Sequence, residues 1–172
     1  MSAYRLIGLE SILVGDARTE DPGMPNTLTT VGNIVPGSAK LAIEVPGKTE
    51  LDVEDSDFAD IIVNTRGAKM FEFATRDMAL KFFRLGMGGS VNTGNTLWRA
   101  SNTAFVVNEK AIKATSKSFG GKKLEIECVR TALRQGADLL FSKEESGTLS
   151  YQADVLRPYQ LTTDYPIIVR II

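Results

Sequence analysis

Period-two alternation of apolar and polar side chains runs through most of this chain, and one stretch alone carries helical spacing. That stretch, residues 68–89, reads AKMFEFATRDMALKFFRLGMGG. Residues 69–74 alternate as a strand, with Phe71 and Phe73 on one face. Thr75 then suits an N-cap, because its hydroxyl can accept from a free amide of the first helical turn. Asp77 would sit in that turn, where the helix dipole favours a carboxylate. Met78, Phe82 and Leu85 fall at i, i+4 and i+7, flanked by Ala79 and Phe83, and make one apolar face. Lys81 and Arg84 lie off that face, and Gly86 fits a left-handed stop. A single short helix among strands narrows the architecture, since it has to seal an open face or end of a sheet.

The remaining elements follow in order. Residues 4–14 (YRLIGLESILV) read as a strand, with Gly8 as a bulge or a close backbone approach. Residues 16–37 hold Pro22, Pro25 and Pro36 and three glycines without periodicity. They read as a long surface loop, or as an arm ordered against another subunit through LTTVGNIV (28–35). Residues 39–45 (AKLAIEV) alternate as a strand that Pro46 and Gly47 end. Residues 50–60 carry six acids, yet their spacing does not match a calcium-binding EF-hand loop, so a solvated acidic loop or an electrostatic contact between subunits is expected. Strands are expected at 60–65, 97–100 and 104–109.

The glycines of residues 86–96 follow a helix rather than precede one, and no Gly-Lys-Ser/Thr accompanies them, which excludes a phosphate loop. Trp98 reads as a packing residue. Residues 110–123 carry five lysines and read as a solvated basic edge, or as an edge facing the acidic segment of a neighbouring copy. Further strands are expected at 123–129 (KLEIECV), 137–141 and 149–156. The last, 167–172 (IIVRII), has β-branched residues on both faces, so it is either buried on both sides or pairs with another chain. About nine strands and one flanking α-helix make a mainly β protein, a β-sandwich or barrel, in a single domain over residues 1–172 with a loop or arm at about 16–37.

Chemistry is scarce. The chain has no histidine and one cysteine, Cys128, which removes the usual general base, the usual zinc ligands and any internal disulfide. Cys128 lies on the apolar face of its strand with Leu124 and Ile126 and reads as a small core residue. No catalytic, cofactor-binding or metal-binding residue is nominated, and no cofactor is expected. With 43% hydrophobic residues and a net charge of −1, the composition is that of an ordinary globular domain with no bulk attraction for nucleic acid or membrane. No signal peptide and no run of the roughly 20 apolar residues that cross a bilayer are read. Residues 1–66 hold 11 acids and 5 bases, whereas residues 67–172 hold 10 acids and 15 bases, a polarity that could help copies dock head to tail. The residues alone lean towards a structural or interaction protein rather than an enzyme.

The order of elements resembles the tail tube (major tail) proteins of tailed bacteriophages. The likeness runs from about residue 39 to the end. It rests on DSDFADIIV (55–63), KMFEFATRDMALKFFRLGMGG (69–89), GGKKLEIECV (120–129) and KEESGTLSYQADVLRP (143–158). The resemblance implies hexameric rings stacked into a hollow tube, strands of each subunit in a continuous inner barrel, and the helix packed outside it. It implies loops reaching adjacent rings and, as partners, a tape-measure protein, a tail terminator and tail tip or baseplate proteins. DNA would pass transiently and without sequence preference, and the place of the protein would be the virion tail, assembled in the host cytoplasm. Glu44, Glu125, Glu127 and Asp154 lie on polar strand faces and are candidates for a lumen wall of negative potential that repels phosphates; exposed positions on an outer sheet are the alternative. Two other readings stay open: another ring-forming tail protein (terminator, connector or type VI secretion inner tube), or a monomeric ligand-binding β-barrel.

Overall fold

The computed structural model describes residues 8–19, 23–51, 61–65, 67–100, 108–141, 146–159 and 165–172. Over these residues the protein is mainly β with one helix. Its main sheet is wholly antiparallel and holds eight strands: β1 (Leu9–Asp16), β2 (Thr29–Val31), β3 (Lys40–Ile43), β6 (Lys69–Thr75), β9 (Asn108–Ser116), β10 (Leu124–Phe141), β11 (Ser146–Val155) and β12 (Ile167–Ile171). The order is β2-β1-β9-β10-β11-β6-β3, and β12 pairs β10 beside β11. Two ribbons complete the described strands, β4 (Gly47–Leu51) with β5 (Ile61–Thr65), and β7 (Ser90–Val91) with β8 (Trp98–Arg99).

One strand, β10, organises this sheet. It pairs β9 along one edge, and on the other it pairs β12 through Leu124–Cys128 and then β11 from Thr131 onward. The change of neighbour coincides with a bulge. Between Cys128 and Thr131, β10 advances three residues while β9 advances two, from Ile112 to Lys110. One extra residue reverses the side-chain parity. Apolar positions are therefore even before the bulge (Ile126, Cys128) and odd after it (Leu133). The two ends of the sheet also approach each other. The segment after β2 bridges β6 through Ile34 and Thr75, with Val35 N–H donating to Ala74 O at 2.8 Å and Arg76 N–H to Asn33 O at 3.0 Å.

The core lies on one face of this sheet: Ile12, Val14, Val31, Phe71, Phe73, Ile112, Ala114, Cys128, Leu133, Leu149, Tyr151 and Ala153, closed by Phe82 and Phe83 of the helix α1 (Leu80–Met87). Burying those two phenylalanines stabilises the docked helix by about 1.5–3 kcal/mol each. Tyr151 stacks on Phe73 with centroids 4.6 Å apart, and its buried hydroxyl donates to Phe82 O at 3.0 Å.

Several sequence expectations are corrected. The helix starts at Leu80, five residues after the expected cap. The Thr75 hydroxyl instead accepts from Asp77 N–H (2.9 Å) and donates to Gly32 O (2.5 Å), so it ties β6 to the segment after β2. Asp77 precedes the helix, and its Oδ1 accepts from Ala79 N–H at 3.0 Å. Gly86 is not the stop. It lies inside the helix against β10, where a Cβ would come 2.4 Å from Gln135 Cβ, and the left-handed residue is Gly88, φ +68. The segment 16–37 is not all loop, since it contains β2. Residues 110–116 are not a solvated edge but the body of β9, in the middle of the sheet. The expected strands 123–129 and 137–141 are the two ends of β10. The final strand, β12, is not buried on both sides: Val169 and Ile171 are 54% and 47% exposed. The acidic residues 52–60 lie outside the described residues, as do residues 1–7 and 101–107.

Candidate functional site

The face opposite the core is polar, as expected of an antiparallel sheet covered on one side only. Its centre is an ion-pair quartet. Glu125 and Glu127 are 6% and 5% exposed, and neighbouring strands explain this burial. Lys113 of β9 stands directly opposite Glu127, and Arg170 of β12 directly opposite Glu125. Lys113 Nζ lies 2.8 Å from Glu125 Oε2 and 3.3 Å from Glu127 Oε1. Arg170 Nε lies 3.4 Å from Glu125 Oε1, and its Nη2 donates to Glu127 Oε2. The bond to Glu125 raises the Lys113 pKa; burial opposes it, and Glu127 adds to it.

Beyond the bulge the same face continues with a second cluster. Arg130 Nε and Nη2 donate to the Glu109 carboxylate at 2.9 and 2.5 Å, and its guanidinium lies 3.6 Å from the centre of the Tyr159 ring. The Tyr159 hydroxyl donates to Glu109 Oε2 at 2.5 Å. The Arg130 bond, above all, holds the Glu109 carboxyl below its ordinary pKa. Further along, Arg134 Nη2 lies 2.6 Å from Asp154 Oδ2, and Gln152 Nε2 donates to Glu72 Oε1 at 3.1 Å. Because Gly136, Ala74, Ser150 and Ser38 are small, an open cleft of about 510 Å³ lies beside Arg134 and Glu72.

The four acids singled out in the sequence therefore do not form one negative wall. Glu125 and Glu127 are together but each faces two cations. Asp154 is on the same face with its own arginine. Glu44 stands apart after β3, exposed, its Oε2 accepting from Ala68 N–H at 3.1 Å. The partners Lys113, Arg134 and Arg170 were missed because each is set by cross-strand register, which no single segment displays. Trp98 packs on Phe83 with centroids 5.6 Å apart and donates to Gly88 O at 2.9 Å. Cys128 is buried, and desolvation pushes its thiol up to about 12. Among the described residues no group of three or more His, Cys, Asp or Glu is placed to hold a metal ion, and no helix is long and apolar enough to cross a membrane.

A last surface is the edge of the sheet. No described strand pairs β12 on the side away from β10. Comparison with models of known protein families and with curated proteins finds no match to this chain.

Proposed function

We propose that this protein is a structural subunit of a bacteriophage tail tube, self-assembling into hexameric rings that stack around a lumen conducting DNA. One observation carries the reading: a large antiparallel sheet whose described helix and core lie on one face, whose other face carries a series of ion pairs, and whose apolar β12 edge no other described strand covers. A sheet of this kind suits one sector of a larger closed wall, with the helix outside and the polar face inside. Closing the wall through neighbouring copies would remove the edge that a lone molecule leaves open. The order of elements from β3 onward supports the same reading through its likeness to tail tube proteins.

The test is negative-stain electron microscopy of the purified protein over a concentration series, with light scattering alongside. Rings or hollow tubes that grow with concentration are expected. A particle that stays a compact monomer of 18.7 kDa at every concentration overturns the proposal. A single ring that never stacks would assign the protein to a terminator or connector instead.

A further inference from the structure

The alternation of backbone hydrogen bonds along β12 shows which groups its open edge offers. Lys123 and Ile172 exchange both bonds, N–H to O at 2.8 Å one way and 3.0 Å the other. In an antiparallel ladder every second pair does so, which turns the amides and carbonyls of Ile168 and Arg170 towards β10. Those of Ile167, Val169 and Ile171 face away. The side chains of the same three residues lie on the core face, opposite Cys128, Ile126 and Leu124. Among the described residues nothing blunts this edge: it holds no proline and no bulge, and its one charge, Arg170, is committed to Glu125 and Glu127.

The complementary edge is identified by the same bookkeeping. Ala17 N–H donates to Glu109 O, so the odd residues of β1 face β9 and the even ones face β2. Ile12 and Val14 therefore bond Val31 and Thr29, and the amide and carbonyl of Thr30 are left facing outward. Strands β2 and β12 both run opposite to β10 and hence parallel to each other. Rotation about a ring axis lying along the strands preserves that direction, so edges of two copies joined in a ring must pair in parallel. In parallel pairing an outward-facing residue sits between two outward-facing residues of its neighbour and opposite an inward-facing one, sharing its face. Val169 would then stand opposite Thr29 or Val31, all on the core face.

The other open edge, β3, fails this condition. Glu44 N–H donates to Ala68 O, so Leu41 and Ile43 face outward. A parallel join would set Lys40, Ala42 and Glu44 on the apolar side against Val169.

From this geometry we infer that β12 of one copy pairs in parallel with β2 of a second copy, making a continuous sheet through Val169 and Thr30. The inference rests on the self-assembly proposed above and names its lateral contact. Proline tests it, because an outward-facing amide of an edge strand is not used within the monomer. Val169→Pro and Thr30→Pro should each raise the concentration needed for rings by about tenfold or more, with monomer melting close to that of the unaltered protein. Cysteine pairs give an independent readout. Thr29→Cys with Val169→Cys should cross-link assembled particles into a covalent ladder, whereas Ile43→Cys with Val169→Cys should not. Rings that form normally in both proline variants, or a ladder only with the Ile43 pair, overturn this contact while leaving the tube reading in place. An unaltered protein that never assembles overturns both.

Discussion

Removing Lys113 is the sharpest probe of the polar face. Its ammonium bridges both nearly buried carboxylates, at 2.8 Å from Glu125 and 3.3 Å from Glu127. Lys113→Met keeps the stem over the sheet and deletes the charge. It leaves two acids, 6% and 5% exposed, facing Arg170 alone. Breaking a buried pair by removing one partner costs about 3–5 kcal/mol. The low end, about 3 kcal/mol, is expected here, because Arg170 still reaches both acids and is itself half in water, which screens it. Urea unfolding at a concentration below assembly measures the loss, and Lys113→Arg should recover most of it. The pH dependence gives a second check. The folded pKa of Lys113 lies above its unfolded value, so its contribution is whole below about pH 10.4 and is lost as pH rises towards the folded pKa. The unaltered protein should therefore lose stability in that alkaline window, and Lys113→Met should lose less. A change below about 0.5 kcal/mol, the scale of ordinary surface substitutions, or an alkaline loss identical in both proteins, would refute the quartet as a stabilising unit.

Gly86→Ala should destabilise by about 1–3 kcal/mol by overpacking, although alanine is the better helix former, because its Cβ would lie 2.4 Å from Gln135 Cβ; thermal unfolding followed by circular dichroism reads this, and a rise in melting temperature would contradict it. Cys128, buried and with its thiol pushed up to about 12, should ignore a thiol reagent at pH 8 in the folded protein and react at once in urea; rapid labelling of the folded protein would place it elsewhere than in the core.

Local pattern made the fold class legible wherever one element kept one period. Phe71 and Phe73 alternate without interruption and became buried strand positions, and Phe82 and Phe83 became the buried face of the only described helix. Reading failed where a feature depends on two segments at once. The bulge after Cys128 flips the parity of β10, so the alternation of residues 123–129 does not carry over in phase into residues 130–136, although these continue the longest described strand. Lys110 and Lys113 looked solvated because their partners, Asp16 on β1 and the acids on β10, come from elsewhere in the chain. Thr75 resembled a cap because the Gly32 carbonyl that claims its hydroxyl is 43 residues away. The candidate surface suffered most: each of its ion pairs crosses between strands, and only register brings the partners together.

The charge-matched face bears directly on how a DNA-conducting wall would avoid binding its cargo. Affinity for DNA comes largely from cations that displace condensed counterions from phosphates. On this face Lys113 and Arg170 are held by Glu125 and Glu127, Arg134 by Asp154, and Arg130 by Glu109 and the Tyr159 ring. A phosphate could recruit one of these cations only by breaking its bonds and leaving a carboxylate without its partner, which for the nearly buried glutamates is costly. Net repulsion from a negative wall acts at a distance and fades beyond a Debye length of about 8 Å at physiological salt. Bonded pairs act at contact, by occupying their cations. Under the proposed function, holding these four cations in ion pairs would weaken the grip of the wall on DNA without the negative potential that the resemblance implies for the lumen.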